Sequence, residues 1–284
     1  MSLSISNHRE REKGVLVYPV YSRRSGGLSV GINLFPDKKI CPFNCPYCEV
    51  FPFSTNAKYS GDQLKEDLRS AISDAVGKKI VIQDICFSGN GEPSVSPAFP
   101  EALEEACSIR DEMAGEAKMV IITCGAGLLD DGIFSLLHKA AISRDLNIWL
   151  KLDAGTPEWY ARINRTEIPF DRLNEQIREF IACTPVTIQT MLCRVDGKTE
   201  PPEEEQAWVS TVTTLAAIAA ESNGGSIRKV QLYGKARPAP EDPKTEALPA
   251  EYLERRASLL RSSFIKAGTL MKAGAFIPPV EVNP

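Results

Sequence analysis

The chain has 284 residues, of which 43% are apolar and 25% charged, a composition typical of a soluble globular protein and not of a disordered chain. Its net charge of −4 gives no global basic field, which weighs against a large nucleic-acid surface. The charged N-terminus and the short apolar run VLVYPVY provide neither a signal peptide nor a membrane span, and the scattered cysteines suit a reducing compartment. We therefore expect a cytoplasmic protein that does not bind membranes.

Six apolar runs alternate with segments of helical periodicity. We predict strands at 28–34, 80–87, 118–123, 147–152, 186–193 and 229–233, several of them near-continuous apolar runs of the kind found in buried parallel strands. Six strand-helix units in series predict a parallel sheet with outer helices. A closed eight-stranded barrel takes roughly 250 residues for eight units, whereas this chain spends about as many on six. We therefore predict an α/β fold, an open (βα)6 partial TIM barrel.

The predicted domain layout is an N-terminal extension at 1–27, the barrel at 28–267 and a C-terminal tail at 268–284. Apolar side chains at helical spacing mark the faces of the helices that turn toward the sheet. These are Leu64, Leu68, Ile72 and Ala75; Phe170, Leu173, Ile177 and Ile181; Trp208, Val212, Leu215 and Ala219; and Leu253, Ala257, Leu260 and Phe264.

After the first predicted strand, the segment ICPFNCPYCEVFP places Cys41, Cys45 and Cys48 at the spacing C-x3-C-x2-C. Its prolines fix the backbone and remove amide donors, so we predict a loop whose thiolates bind a metal. A structural zinc site closes four ligands, and no fourth Cys or His lies nearby, since the histidines are His8 and His138. Three cysteines instead suit a [4Fe-4S] cluster with one iron open to another ligand. Zinc, and three cysteines without a metal, remain the alternatives.

The chain resembles the radical S-adenosylmethionine (SAM) superfamily in four stretches: SRRSGGLSVGINLFPDKKICPFNCPYC (22–48), FSGNGEPSVSP (87–97), KLDAGTPEWYARINRT (151–166) and KVQLYGKARP (229–238). More narrowly, it resembles the subgroup of wyosine-type tRNA synthesis enzymes and their uncharacterised relatives. The resemblance implies that Cys41, Cys45 and Cys48 hold a [4Fe-4S] cluster, and that SAM chelates the fourth iron through its amino and carboxylate groups. It also implies the open partial barrel.

The SAM site is expected at the carboxyl ends of the strands. The second strand runs into Ser88, Gly89, Asn90, Gly91, Glu92 and Pro93, where two glycines let a ligand approach the backbone and the glutamate offers a carboxylate to an ammonium group. This turn resembles the family's G-G-E-type motif, which binds the SAM amino group, although an asparagine separates the glycines here. Taken alone, it predicts only a glycine turn with a solvated acid. The further predicted cofactor contacts are Tyr47, Thr123, Lys151, Asp153, Gln189 and Leu232.

Lys151 and Arg165 are the predicted catalytic residues. Strand alternation puts Lys151 and Asp153 on one face of the fourth strand, either as contacts to a carboxylate or carbonyl group or as a buried structural pair. The family pattern is Ser-Leu-Asp-Ala, so Asp153 matches it and Lys151 departs from it. Arg165 is either a clamp for a carboxylate or phosphate or a solvated surface side chain. Cys124 and the other single cysteines are expected to be small buried side chains.

The resemblance implies an enzyme that cleaves SAM reductively at a [4Fe-4S] cluster and directs a 5'-deoxyadenosyl radical to hydrogen abstraction. The acidic balance favours a small-molecule or peptide substrate, with tRNA modification of the wyosine type as the alternative. An iron-sulfur electron carrier is the second alternative, and a zinc-stabilised binding module is a further one. An electron donor such as flavodoxin or ferredoxin is the expected protein partner.

Overall fold

The structure, a computed structural model, describes residues 13–268 and 277–284. The chain divides into two units. The first comprises Met1–Cys41, Glu49–Thr123 and Lys139–Asn147, and the second comprises Pro42–Cys48, Cys124–His138 and Ile148–Pro284. The division passes through the cysteine loop, so Cys41 belongs to the first unit while Cys45 and Cys48 belong to the second.

The first unit is built on four strands, β1 (Val17–Ser22), β2 (Gly27–Asn33), β3 (Ile82–Ser88) and β4 (Lys118–Thr123). They lie in the order β1-β2-β3-β4, with β1 antiparallel to β2 and the other pairs parallel. Its helices are α1 (Gly61–Gly77) and α2 (Phe99–Met113). Helix α1 begins at Ser60, whose hydroxyl accepts from the Gln63 amide at 3.3 Å, an N-cap that satisfies one of the first amides of the helix.

Helix α3 (Asp131–Ser143) and strand β5 (Leu146–Lys151) have residues in both units. The second unit also holds β6 (Pro185–Val195), β7 (Ser226–Gly234), β8 (Thr245–Ala247) and β9 (Val280–Asn283). Strands β5, β6, β7 and β9 are parallel neighbours in that order, and β8 pairs antiparallel with β6. The helices of this unit are α4 (Pro157–Ile163), α5 (Phe170–Cys183), α6 (Pro202–Glu221) and α7 (Ala250–Gly268).

Each of the six predicted strands overlaps one of β2 to β7. Strands β1, β8 and β9 were not predicted. The first lies in the predicted N-terminal extension and contains Pro19, and the last lies in the predicted C-terminal tail. Both segments therefore contribute strands to the sheet, while residues 1–12 and 269–276 lie outside the described part of the chain. The domain boundaries at 28 and 267 stay a prediction.

The predicted apolar helix faces are buried, with one shift. All four apolar residues predicted for each of α1, α6 and α7 are buried. In α5 the half-buried Phe170 lies at the first position, and Phe180 takes part in the buried face together with Leu173, Ile177 and Ile181. Among the described residues, no helix has the length and apolar character that crossing a membrane requires.

Candidate functional site

The turn after β3 is clamped to the segment that leads into the cysteine loop. The Ile40 amide donates to the Asn90 carbonyl at 3.2 Å, and the Glu92 amide donates to the Ile40 carbonyl at 2.9 Å. A Cβ on Gly91 would lie 1.9 Å from the Ile40 carbonyl oxygen, so the close approach of the two backbones requires glycine. Cys41 therefore directly follows a residue whose position the glycine turn fixes.

A second set of contacts joins the same turn to the residues at the end of β2. The Asn33 side-chain oxygen accepts from the Asn90 amide at 3.2 Å and from the Phe35 amide at 3.1 Å, and the Asn90 side chain donates to the Phe35 carbonyl at 3.3 Å. Gly89 has a φ of +106°, a region that L side chains rarely adopt. Asn90, the residue that separates the two glycines, is thus a structural part of the turn. Ser88, at the end of β3, shares a hydrogen bond of 2.8 Å with the Tyr18 hydroxyl.

Glu92 and Thr123, both predicted cofactor contacts, touch one another. Glu92 is 3% exposed, and its Oε1 accepts from the Ser94 amide at 3.2 Å, the Ser94 hydroxyl at 2.5 Å and the Thr123 hydroxyl at 2.7 Å. The alternative of a solvated acid is therefore wrong. These three donors are neutral groups that hold the carboxylate in place, and a carboxylate suits an ammonium ligand. Pro93 begins the 3-10 turn that the Glu92 side chain caps.

Asp153, in the second unit, is the centre of a buried hydrogen-bond network. Its carboxylate is fully buried and lies 3.2 Å from the Lys151 ammonium nitrogen. It also accepts from the Tyr47 hydroxyl, from Asn164 Nδ2 at 3.3 Å and from the Met191 amide at 2.9 Å. Lys151 and Asp153 thus lie on the same face of the strand, as predicted, and form an ion pair there. Tyr47 of the cysteine loop is hydrogen-bonded to the carboxylate of this pair.

Lys151 lies between two tyrosine rings. Its Nζ is 4.7 Å from the Tyr47 ring centroid and 5.0 Å from that of Tyr233, and it donates to the Tyr233 hydroxyl. Burial lowers the pKa of Lys151, but the Asp153 carboxylate and Tyr233 outweigh it, so the pKa is raised overall. Lys151 is therefore an ammonium group at neutral pH in this arrangement, a donor of hydrogen bonds and a source of positive charge.

The second part of the cysteine loop is docked on the end of α4. The Asn44 amide donates to the Asn164 carbonyl at 3.0 Å, and Asn164 Nδ2 lies 3.8 Å from Cys45 Sγ. Within the loop, the Cys48 amide donates to the Cys45 carbonyl at 3.0 Å, which forms a tight turn between two of the cysteines. Asn164 thus joins Cys45 to Asp153, and it was not among the predicted site residues.

The donor set fits an iron-sulfur cluster. All eight cysteines are free thiols, and Cys41, Cys45 and Cys48, at the C-x3-C-x2-C spacing, are half-buried, a set of donors of the kind that holds iron-sulfur clusters. Within residues 13–268 and 277–284, no three His, Cys, Asp or Glu side chains already converge as a metal site. Burial and the Asp153 carboxylate raise the pKa of the Cys45 thiol to about 12, so the thiol holds its proton until a bound metal displaces it. An N–H donor at a cysteine sulfur, as Asn164 provides, is a known means of tuning such clusters.

The other five cysteines and the two histidines are not part of the cysteine loop. Cys86, Cys107, Cys124 and Cys193 are buried singly, as predicted, and Cys183 is half-buried. His138 on α3 lies with its Nδ1 2.9 Å from the Thr184 hydroxyl oxygen, and His8 falls outside the described residues.

Arg165 has a partner within the chain. Its guanidinium donates to Glu241 Oε1 at 2.6 Å, and both side chains are 28% exposed. Lys235 pairs with Asp242 in the same proline-rich segment, and the Thr245 hydroxyl lies 3.5 Å from the Pro46 carbonyl oxygen. Arg165 and Thr245 therefore tie this segment to the ends of α4 and the cysteine loop.

Gln189 begins a chain of amides that crosses β6, β7 and β9. It donates to Gln231 Oε1 at 2.8 Å, and Gln231 in turn donates to Glu281 at 2.9 Å. These three residues are in register with one another and with Lys151. Leu232 is fully buried, and strand alternation places its side chain on the face opposite Gln231, so its predicted cofactor contact depends on its backbone. Gln231, Tyr233 and Glu281 were not predicted, because only the strand register brings them to this face.

The chain is similar to a known family and to two curated proteins. The sequence model described as "Radical SAM superfamily" matches residues 38–202. Two curated proteins, the UPF0026 proteins of two Helicobacter pylori strains, are each 34% identical over 109 residues, which is 38% of this chain and 34% of each relative. The match therefore spans about a third of the length of these relatives.

Solved structures show the same fold. A radical SAM methyltransferase from Sphaerobacter thermophilus gives a TM-score of 0.61 at 15% identity, covering 94% of this chain and 69% of that one. TYW1 with a lysine-pyruvate adduct bound gives 0.53 at 15% identity, covering 82% and 73%. Streptococcus suis SuiB bound to S-adenosylmethionine gives 0.54 at 14% identity, covering 87% and 48%. These likenesses confirm the predicted α/β partial TIM barrel, a mostly parallel curled sheet with helices around it.

Proposed function

The chain belongs to the radical SAM superfamily, whose enzymes use a [4Fe-4S] cluster and S-adenosylmethionine, and from this membership we propose its reaction. The protein uses the cluster to cleave SAM reductively, and the resulting 5'-deoxyadenosyl radical abstracts hydrogen from a small-molecule or peptide substrate. Cys41, Cys45 and Cys48 hold the cluster in this proposal. An electron donor of the flavodoxin or ferredoxin kind supplies the electron.

One observation carries the proposal: a single asparagine joins a cluster-ligand candidate to the buried ion pair. Asn164 Nδ2 lies 3.8 Å from Cys45 Sγ and 3.3 Å from Asp153 Oδ2. Tyr47, between Cys45 and Cys48 in sequence, donates to the same carboxylate. The segment that bears two of the thiols and the polar end of β5 therefore form one hydrogen-bonded group within the second unit. An electron carrier or a zinc-stabilised module has no need for such a group.

Each unit, taken by itself, holds one charged side chain that suits a charged group of a ligand. In the first unit, Glu92 offers a buried carboxylate held by neutral donors, which suits an ammonium group. In the second, Lys151 offers an ammonium group, which suits a carboxylate or a carbonyl oxygen. Forming an imine with a carbonyl substrate requires a neutral amine, and the raised pKa of Lys151 keeps its proton on Nζ. We therefore assign Lys151 an electrostatic role.

The direct test is anaerobic reconstitution with iron and sulfide. Loaded protein should carry about four iron atoms per chain, show an EPR signal that SAM alters, and release 5'-deoxyadenosine and methionine when reduced in the presence of SAM. Zinc without iron would contradict the proposal. A reducible cluster that never cleaves SAM would identify an electron carrier instead.

The tRNA alternative depends on the sequence resemblance to wyosine-type enzymes, and the net charge of −4 weighs against it. Binding of tRNA that weakens steeply with added salt would favour it, because phosphate contacts release counterions. If protein that carries its cluster shifts no tRNA in a gel, the tRNA alternative is wrong.

A further inference from the structure

One buried hydroxyl beside the cysteine loop has no hydrogen-bond partner. Tyr160 on α4 is 8% exposed, and its hydroxyl is enclosed without a partner among the described residues. Its ring packs edge-on against Phe43 of the loop, with centroids 5.9 Å apart, and against Phe170 at 5.4 Å. An unpaired buried hydroxyl destabilises a fold, and native structures rarely keep one without a reason.

The same helix face already supplies a donor to a loop sulfur. Asn164 follows Tyr160 by four residues, and its amide donates to the Tyr160 carbonyl at 2.9 Å, so the two side chains lie one turn apart on one face. Asn164 Nδ2 lies 3.8 Å from Cys45 Sγ, while the Tyr160 ring contacts Phe43, two residues earlier in the loop. The Tyr160 ring and the Asn164 side chain thus both contact the cysteine loop, and the Asn164 amide group donates to a loop sulfur.

The surroundings of the Tyr160 hydroxyl are aromatic rings and cysteine side chains. The aromatic neighbours Phe43 and Phe170 carry no polar side-chain atom. Burial raises the pKa of the Tyr160 phenol, and the sulfur groups of Cys124 and Cys45 add to this rise. The titratable side chains named around this hydroxyl therefore carry sulfur, and one of them, Cys45, is a candidate cluster ligand.

We propose that Tyr160 donates a hydrogen bond to a sulfur atom of the cluster held by the cysteine loop, either the Cys45 thiolate or an inorganic sulfide, and thereby raises the reduction potential of the cluster. This inference rests on the proposed function, because the acceptor is complete only when the cluster is bound. Reduction adds negative charge to the cluster sulfurs, so a donor to one of them stabilises the reduced form more than the oxidised form.

The test is the reduction potential of the loaded Tyr160→Phe protein, measured by anaerobic titration with the EPR signal of the reduced cluster. We expect the ratio of reduced to oxidised cluster at a fixed potential to fall about threefold to tenfold, a shift of about 30 to 60 mV to more negative values. Tyr59→Phe is the matched control. The Tyr59 hydroxyl is also enclosed without a partner, but the groups that act on it are Glu101, Glu105 and Lys65 and not cysteines. Its loss should leave the potential unchanged.

A second measurement separates this role from a structural one. In cluster-free protein, Tyr160→Phe removes an unpaired hydroxyl and should melt at or above the wild-type temperature, whereas loaded Tyr160→Phe should melt below loaded wild type. A lower melting temperature in both forms to the same extent would overturn the inference, as would an unchanged potential in a fully loaded variant. Wild-type protein that holds no iron would remove the proposed function together with the inference.

Discussion

Lys151 and Asp153 form a buried ion pair, and the two side chains differ in how many other hydrogen-bond partners each of them has. The Lys151 Nζ lies 3.2 Å from Asp153 Oδ2, and the side chains are 13% and 0% exposed. Asp153 keeps three other donors, from Tyr47, Asn164 and Met191. Lys151 has the Tyr233 hydroxyl and the faces of two tyrosine rings. Removing the carboxylate therefore strands a buried cation, whereas removing the cation leaves a carboxylate that is still hydrogen-bonded.

The free energy of unfolding should therefore fall less when Lys151 is replaced than when Asp153 is replaced. We expect Lys151→Met to lower the free energy of unfolding by about 1.5–3 kcal/mol, the range for a lost hydrogen bond to a charged group. Asp153→Leu should cost about 3–5 kcal/mol, the range for breaking a buried pair. Urea unfolding of the two cluster-free variants measures both. Equal losses, or a larger loss from the lysine variant, would contradict the network described for Asp153.

Ligand binding should separate a functional Lys151 from a purely structural one. If the ammonium group meets a SAM carboxylate, Lys151→Met should retain its iron but bind SAM roughly tenfold to a hundredfold more weakly, because a charge-assisted hydrogen bond is lost. Calorimetric titration of loaded protein with SAM gives this value. A Lys151→Met variant that is stable, retains its iron and binds SAM with wild-type affinity would show that Lys151 has neither a ligand-binding nor a structural role.

Iron content should single out three of the eight cysteines. Alanine at Cys41, Cys45 or Cys48 should each abolish retention of the cluster, because three thiolates are needed to hold it. Cys124→Ala is the control, since this buried thiol lies outside the loop and should be dispensable for iron binding. Iron and sulfide analysis after reconstitution decides the matter. Full iron content in any one of the three loop variants would remove that residue from the ligand set.

The pH dependence of stability should carry the signature of Glu205. Burial raises the pKa of this carboxyl, but hydrogen bonds from Arg255 and the charge of Arg256 outweigh it, so the pKa is lowered from its ordinary value of 4.5. A carboxyl with a lowered pKa stabilises the fold above its ordinary pKa and loses that contribution as the pH falls through its folded value. The difference in unfolding free energy between wild type and Glu205→Gln should therefore be constant near neutrality and shrink below about pH 4.5. A difference that grows on acidification would reverse the assigned sign.

Much of the sheet could be predicted because buried parallel strands read as apolar runs, and β2 to β7 do so. Strand β1 was missed because it is an edge strand that contains Pro19, which the sheet tolerates only at such a place. Strand β9 is the four-residue segment VEVN, too short to give a period, and its pairing with β7 depends on long-range packing. Its Glu281 nevertheless anchors the amide chain that reaches Gln189.

The candidate site was predictable where local spacing decides and not where partners come from distant elements. Alternation along β5 was enough to pair Lys151 with Asp153. The contact from Lys151 to Tyr233 joins residues 82 positions apart, so only the register of the strands supplies it. The partner of Arg165 could not be predicted either. The sequence shows a cation near a strand end, but its pairing with Glu241 depends on the path of the proline-rich segment.

The last prediction concerns Gly91, whose missing side chain lets two backbones meet. A Cβ at this position would lie 1.9 Å from the Ile40 carbonyl oxygen. That atom belongs to the backbone, so no side-chain movement can relieve the clash. Gly91→Ala must therefore displace the segment that leads directly into Cys41. We expect a loss of about 1–3 kcal/mol in unfolding free energy, the usual cost of overpacking, and a lower iron content after reconstitution because the first cysteine is misplaced.

Gly77→Ala provides the matched control for Gly91→Ala. A Cβ on Gly77, the last residue of α1, would meet no atom within 4 Å. Alanine there should be neutral or stabilise by up to about 1 kcal/mol, through its higher helix propensity, and should leave the iron content unchanged. Urea unfolding and iron analysis of the two variants side by side separate the effect of the added methyl group from that of its place. Wild-type iron content and stability in Gly91→Ala would show that the glycine turn does not position Cys41.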